Sequence, residues 1–202
     1  MPKTAIQLGP HDHGRRMSLE DFEPAGVREG YLYELGRGAV VVSDVPGRKH
    51  FAQVNAIRRQ LSMYDAANPG QIYGIATGSE CKILLTDLNS ERHPDLAVYK
   101  LPPPDADDYW PEWVPEIVIE VVSPGSEAEH RDYVEKRQEY LAFGVREYWI
   151  SDAMQRRFLI LRRSRGRWAE RSLGSEGTYR TQLLPGFELA CAPIFRAADA
   201  VS

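Results

Sequence analysis

A carboxylate stands in the middle of the most strand-like apolar run of this chain. In "PEIVIEVVSP", residues 115–124, Glu120 lies between Ile117-Val118-Ile119 and Val121-Val122. Side chains alternate along a strand, so Ile117, Ile119 and Val121 share one face and Val118, Glu120 and Val122 the other. Both faces are apolar, the pattern of a strand covered on both sides. An unpaired carboxylate there would be costly and would take up a proton. Glu120 therefore calls for a cation: lysine, arginine or a metal. The alternative is a place near the strand's wet end, beside a single arginine.

Two further residues could complete a site around it. Asp95 follows Pro94 and opens the apolar run Leu96–Tyr99. Pro-Asp is an ordinary turn dipeptide. As a second carboxylate on a neighbouring strand, however, it would furnish a hard-cation site, since Mg²⁺ typically takes one or two carboxylates plus waters and phosphate oxygens. Residues 127–143 project as a helix whose apolar arc holds Tyr133, Val134, Tyr140, Leu141 and Phe143. Lys136 and Arg137 fall inside that arc. A lysine on the sheet-facing side could reach the acids, or it could snorkel over apolar surface. Glu34, alternating with Leu32, is either a further inward acid or an edge residue.

Other charged groups carry less. His11-Asp12-His13 has metal-ligand residue types, but it sits in an aperiodic stretch that reads as a solvated tail. The one dense basic segment, "RRSRGR", places Arg162, Arg163, Arg165 and Arg167 at a hairpin turn, for phosphate contact or simply as a solvated tip. Arg156 and Arg157 lie at the other end of that strand, about 17 Å away. Tyr109, Trp110, Trp113, Tyr133, Tyr140, Tyr148 and Trp149 read as core or interface packing.

The elements that must position these residues follow from pattern. Residues 1–16 are expected to be a flexible tail and 17–202 a single domain. A short capped helix starts at Ser18. Tyr31–Leu35 and Ala39–Ser43 form a hairpin through Gly36-Arg37-Gly38. Phe51, Val54, Ile57, Leu61 and Tyr64 recur at helical spacing over 48–64. Short strands are expected at 71–76, 81–86 and 96–99, then the Glu120 strand, a break at Pro124-Gly125-Ser126, the 127–143 helix ending at Gly144, and the strand "REYWISD". A strand–turn–strand through the arginines and "LLPGFEL" close the domain. Strands interleaved with two long helices point to an α/β or α+β mixed sheet packed by helices.

Composition bounds the rest. With 202 residues and 43% hydrophobic content, the chain can bury one sizeable core. A net charge of −4 argues against strong non-specific nucleic-acid binding, though not against a local basic groove. Cys81 and Cys191 are too far apart in sequence to suggest a disulfide framework or a paired metal motif. Met1-Pro2-Lys3-Thr4 opens no signal-like apolar run and no stretch approaches membrane-span length, so a reducing cytoplasm is the expected setting.

Taken in order, "HPDLAVY", "PEIVIEVVSPGS", "RDYVEKRQEYLAFGVREYWISD" and "LLPGFEL" resemble the Uma-type family of putative restriction endonucleases, within the PD-(D/E)XK nuclease superfamily. The resemblance spans roughly residues 30–195. It implies a restriction-endonuclease-like core, a mixed central sheet flanked by helices, with an added N-terminal hairpin and a C-terminal β-hairpin. It implies Mg²⁺ or Mn²⁺ held by Asp95 and Glu120. The superfamily lysine, two residues past the glutamate, is replaced here by Val122, and its role maps onto Lys136 in the following helix. Glu34, His50 and Gln53 match supporting polar positions. The activity implied is metal-assisted hydrolysis of DNA phosphodiesters, with DNA as partner and a homodimer expected. Two alternatives stay open: a nuclease-fold binding or dimerisation module with weak or no activity, and a metal-dependent hydrolase of a smaller phosphodiester.

Overall fold

The computed structural model of the chain describes residues 6–201; the Met1–Thr4 start considered above lies outside them. In chain order the elements are β1 (Gln7–Leu8), α1 (Leu19–Phe22), β2 (Gly26–Val27), β3 (Tyr31–Gly36), β4 (Ala39–Asp44), α2 (Arg48–Ala67), β5 (Gly74–Ala76), β6 (Ile83–Leu85), β7 (Ser90–Arg92) and β8 (Leu96–Tyr99). Then follow β9 (Ile117–Val121), α3 (Ser126–His130), α4 (Lys136–Phe143), β10 (Glu147–Asp152), β11 (Arg157–Ser164), β12 (Arg167–Leu173), β13 (Thr178–Arg180), β14 (Glu188–Ala190) and α5 (Cys191–Asp199). The fold is mixed α+β, as the sequence pattern requires.

A six-stranded sheet in the order β12-β11-β10-β9-β8-β5 forms its centre. Only β9 and β10 run parallel, joined by the α3–α4 crossover; the other neighbours are antiparallel. The alternation read along the Glu120 strand decides the two cores. Ile117, Ile119 and Val121 pack with Ile57, Leu61 and Tyr64 of α2 and with Ile194 and Phe195 of α5. Val118 and Val122 pack on the opposite face with Tyr140 of α4 and with Ile83 and Leu85 of β6. Strand β6 belongs to a second, four-stranded sheet, β4-β3-β7-β6, lying on that side.

The β3–β4 and β11–β12 hairpins both turn on an Arg-Gly pair. Arg37 and Gly38 have φ of 48° and 75°, and Arg165 and Gly166 have 49° and 74°. Positive φ at both central residues is the two-residue turn that matches strand twist, and Gly36 is therefore the last residue of β3 rather than part of the loop.

Three expectations are corrected. The stretch from Gln7 to Arg16 is not a tail: β1 pairs with β2, and Val42 N–H donates to His13 Nδ1 at 3.1 Å. The aperiodic sequence gains its order from contacts with the β3–β4 hairpin instead of from its own periodicity. Phe51, counted in the apolar stripe of α2, is 65% exposed. The helical segment 127–143 buries only part of its expected apolar arc: Tyr140 is in the core and Tyr133 and Phe143 pack against it, but Val134 is exposed, and Asp132, Lys136 and Glu139 are buried alongside.

Candidate active site

Lys136 arrives at Glu120. Its Nζ lies 2.9 Å from Glu120 Oε1, 3.3 Å from Glu34 Oε1 and 3.7 Å from Asp132 Oδ1. Residues Arg131–Glu135 between α3 and α4 form a π turn, in which Lys136 N–H donates to Arg131 O five residues back. The extra residue shifts the helix's angular phase by about 100° and helps set Asp132 and Lys136, together with Tyr140, against the sheet. Val122, where the superfamily lysine would stand, is a buried core residue.

The acids are held individually. Tyr140 OH donates to Glu120 Oε1 at 2.6 Å. Asp95 Oδ2 accepts the Val121 backbone N–H at 2.7 Å and pairs with His50 Nε2 at 2.9 Å. Strand register places Asp95 there, since Leu96 pairs with Ile119. Gln53, the other helix residue singled out, stands one step away: it accepts from Ser151 Oγ at 2.9 Å and thereby ties α2 to β10. Glu34 accepts the His93 N–H at 2.9 Å.

Arg92 was not anticipated. It is completely buried and binds Glu139 at 2.6 Å, Glu34 at 3.2 Å and Glu135 at 3.3 Å. A Cβ on Gly36 would lie 2.5 Å from Arg92 Nη2, so β3 needs glycine where the guanidinium passes. Glu34 thus bridges two cations, Arg92 behind it and Lys136 in front. Asp132 and Tyr140 were also missed as site residues, although each sits four positions from Lys136, one helical turn away.

Charge in this cluster is unbalanced. Burial pushes Glu120 up to about 8 despite Lys136, and Asp95, Asp132 and Glu34 add repulsion. Burial likewise pushes Asp132 up to about 6 against Lys136 and Arg131. Glu34 resists the same burial because Lys136, Arg92 and the His93 N–H hold it down at about 2. Burial works against charge on Lys136, but Glu120, Glu34 and Asp132 outweigh it and keep the ammonium protonated. Tyr140 is raised well above its ordinary range by burial and by Glu120, so it remains a donor.

Such a cluster suits a divalent cation. Among the described residues, no hydrogen bond is made by Asp95 Oδ1 or Glu120 Oε2, the second oxygens of the two carboxylates. No three His, Cys, Asp or Glu side chains among those residues are arranged to hold a metal alone. A hard cation held by Asp95 and Glu120 would have to complete its shell with oxygens from outside these two side chains, such as water.

The remaining sequence candidates lie elsewhere. Arg162 pairs across the sheet with Glu147, and Glu147 with Ile117, whereas Glu120 aligns with Ile150 and Leu159. Arg162, Arg163, Arg165 and Arg167 are exposed at the opposite end of the strands from Glu120. In the His11-Asp12-His13 run, Asp12 binds Gly9 N–H and Arg15 while His13 Nε2 faces Glu127 at 2.7 Å, so the three do not converge. No helix among the described residues is long and apolar enough to cross a membrane.

The comparisons agree with this architecture. The Uma2 family, described as "Putative restriction endonuclease", matches residues 19–192. A crystal structure of a putative nuclease belonging to DUF820 from Anabaena variabilis superposes with a TM-score of 0.68 at 16% identity, covering 90% of this chain and 99% of the other. At that identity the likeness speaks for the fold. No curated protein matches the chain.

Proposed function

The chain belongs to the Uma2 family of putative restriction endonucleases, and from that premise we propose that it is a Mg²⁺- or Mn²⁺-dependent endonuclease that hydrolyses DNA phosphodiester bonds at the Asp95–Glu120–Lys136 centre. The observation that carries this reading is the 2.9 Å contact between Lys136 Nζ and Glu120 Oε1. A buried ammonium from the following helix supplies the charge that Val122 cannot.

Asp95 and Glu120 would hold the metal, which when bound polarises the phosphate and lowers the pKa of a water molecule. The chain's own groups do the rest. His50 and the Val121 N–H fix one oxygen of Asp95, and Tyr140 fixes one oxygen of Glu120. Lys136 stabilises the negative charge that develops on the phosphate, or orients the attacking water. Glu34, anchored by Arg92, keeps that ammonium charged and in place. The buried free thiols Cys81 and Cys191 suit a reducing cytoplasm, and a homodimer would bring one centre to each strand of a duplex.

Incubation of the purified protein with supercoiled, single-stranded and branched DNA, with and without Mg²⁺ or Mn²⁺, tests this. Cleavage should require metal and vanish in Asp95→Ala and Glu120→Gln. DNA binding that persists without metal, with no cleavage, would favour the binding-module alternative. Turnover of bis(p-nitrophenyl) phosphate with no action on DNA would favour a small-phosphodiester hydrolase.

A further inference from the structure

Every cation buried in the centre is saturated except one. Arg92 is bound by three carboxylates and Lys136 by three. Arg131 differs. Its Nε is buried without a hydrogen-bond partner, and the nearest carboxylate oxygen, Asp132 Oδ1, is 3.9 Å away, too far for a hydrogen bond. The side chain is only 15% exposed.

Arg131 opens the π turn that delivers Asp132 and Lys136 to the sheet. Its Nε lies 3.9 Å from Asp132 Oδ1, the oxygen that is itself 3.7 Å from Lys136 Nζ, so it stands beside the centre. Three other arginines are occupied: Arg137 by Glu170, Arg156 by Asp199, and Arg37 by Gln138. Arg157 also has an unpaired buried Nε, but its guanidinium lies 4.9 Å over the Tyr133 ring and so already has a partner. The buried Nε cannot meet a ligand, but the outer guanidinium nitrogens make no hydrogen bond among the described residues, and beside a metal-type carboxylate pair they suit one ligand class above others, a phosphate oxygen pair taken by two N–H groups.

We propose that Arg131 binds a phosphate of the nucleic-acid strand next to the bond being cut, and that this contact replaces the hairpin arginines 162–167 as the chain's principal phosphate grip. The proposal rests on the endonuclease reading. It also answers the acidic net charge: a single well-placed guanidinium beside the centre does not need a basic surface around it.

The test is equilibrium binding of a fluorescent DNA duplex to the Glu120→Gln protein with Mg²⁺, over about 50–200 mM salt, alone and combined with Arg131→Ala or Arg131→Lys. Arg131→Ala should weaken binding about tenfold and make the plot of log affinity against log salt shallower by about 0.9, the loss of one phosphate contact. Arg131→Lys should keep the slope, because the charge remains, while losing affinity through the lost paired geometry. A purely structural role would lower the melting temperature of both variants and leave the slope unmoved. An unchanged slope in Arg131→Ala overturns the assignment and leaves the endonuclease reading standing. Absence of any DNA binding by the Glu120→Gln protein overturns both.

Discussion

Replacing Glu120 with glutamine should change how stability depends on pH, in a direction opposite to that of most buried acids in ion pairs. An ordinary glutamate titrates at 4.5, whereas burial pushes Glu120 up to about 8 in the fold even with Lys136 at 2.9 Å. The folded chain thus holds this proton more tightly than the unfolded chain. The stability it contributes is fully present below pH 4.5 and is lost as pH rises through about 8. Multiplying that interval by about 1.4 kcal/mol per pH unit gives an upper bound of about 5 kcal/mol. Glutamine mimics the protonated acid and does not titrate. In metal-free protein, then, wild type and Glu120→Gln should be nearly equal in stability at pH 5, with the variant ahead by about 2–5 kcal/mol at pH 8. Urea unfolding in EDTA at the two pH values measures it. Adding Mg²⁺ at pH 8 should raise the stability of the wild type more than that of the variant, because the cation takes the proton's place. A difference between the two proteins that is the same at pH 5 and pH 8 would refute the charge imbalance assigned to the centre.

Other perturbations read other parts of the network. Glu34 behaves in the opposite sense: Lys136 and Arg92 hold it at about 2, so its contribution is present above pH 4.5 and is lost as pH falls through 2. Glu34→Gln should therefore flatten the acid limb of the wild-type stability curve, seen by thermal unfolding between those values. Arg92→Met leaves Glu34, Glu135 and Glu139 without their shared cation, and should lower stability by about 3–5 kcal/mol in urea unfolding. Tyr140→Phe removes a 2.6 Å hydrogen bond to Glu120 and should cost about 0.5–1.5 kcal/mol in stability while that acid is protonated, and about 1.5–3 kcal/mol above pH 8 where it is charged, with single-turnover cleavage slowed less than in Lys136→Ala.

Much of this arrangement was legible because apolar periodicity encodes it. The alternation around Glu120 separated the two cores correctly, and the spacing of Ile57, Leu61 and Tyr64 placed α2. What the sequence concealed is polar. Strand β7 is three residues, Ser90-Glu91-Arg92, all buried and none apolar, so no hydrophobic pattern marks it. Its Arg92 can be buried only because acids from β3 and from the α3–α4 segment, distant in sequence, surround it. Asp132 was hidden for a related reason: the apolar arc placed Lys136 toward the sheet but not Asp132, and the π turn that helps present both leaves no periodic trace. The Arg-Gly turns, the Glu120 problem and its cation, Lys136, could be read; Arg92, Asp132 and Tyr140, which complete the network, could not.

The central claim is that Lys136 serves the chemistry at the Asp95–Glu120 pair, and single-turnover cleavage of a supercoiled plasmid at saturating Mn²⁺ tests it most directly. Wild type should nick or linearise the plasmid, and Lys136→Ala should do so slower by about 10²–10³-fold, the usual loss when one stabilising charge is removed from a transition state. Equal rates in the two proteins, or cleavage by neither, would contradict the account.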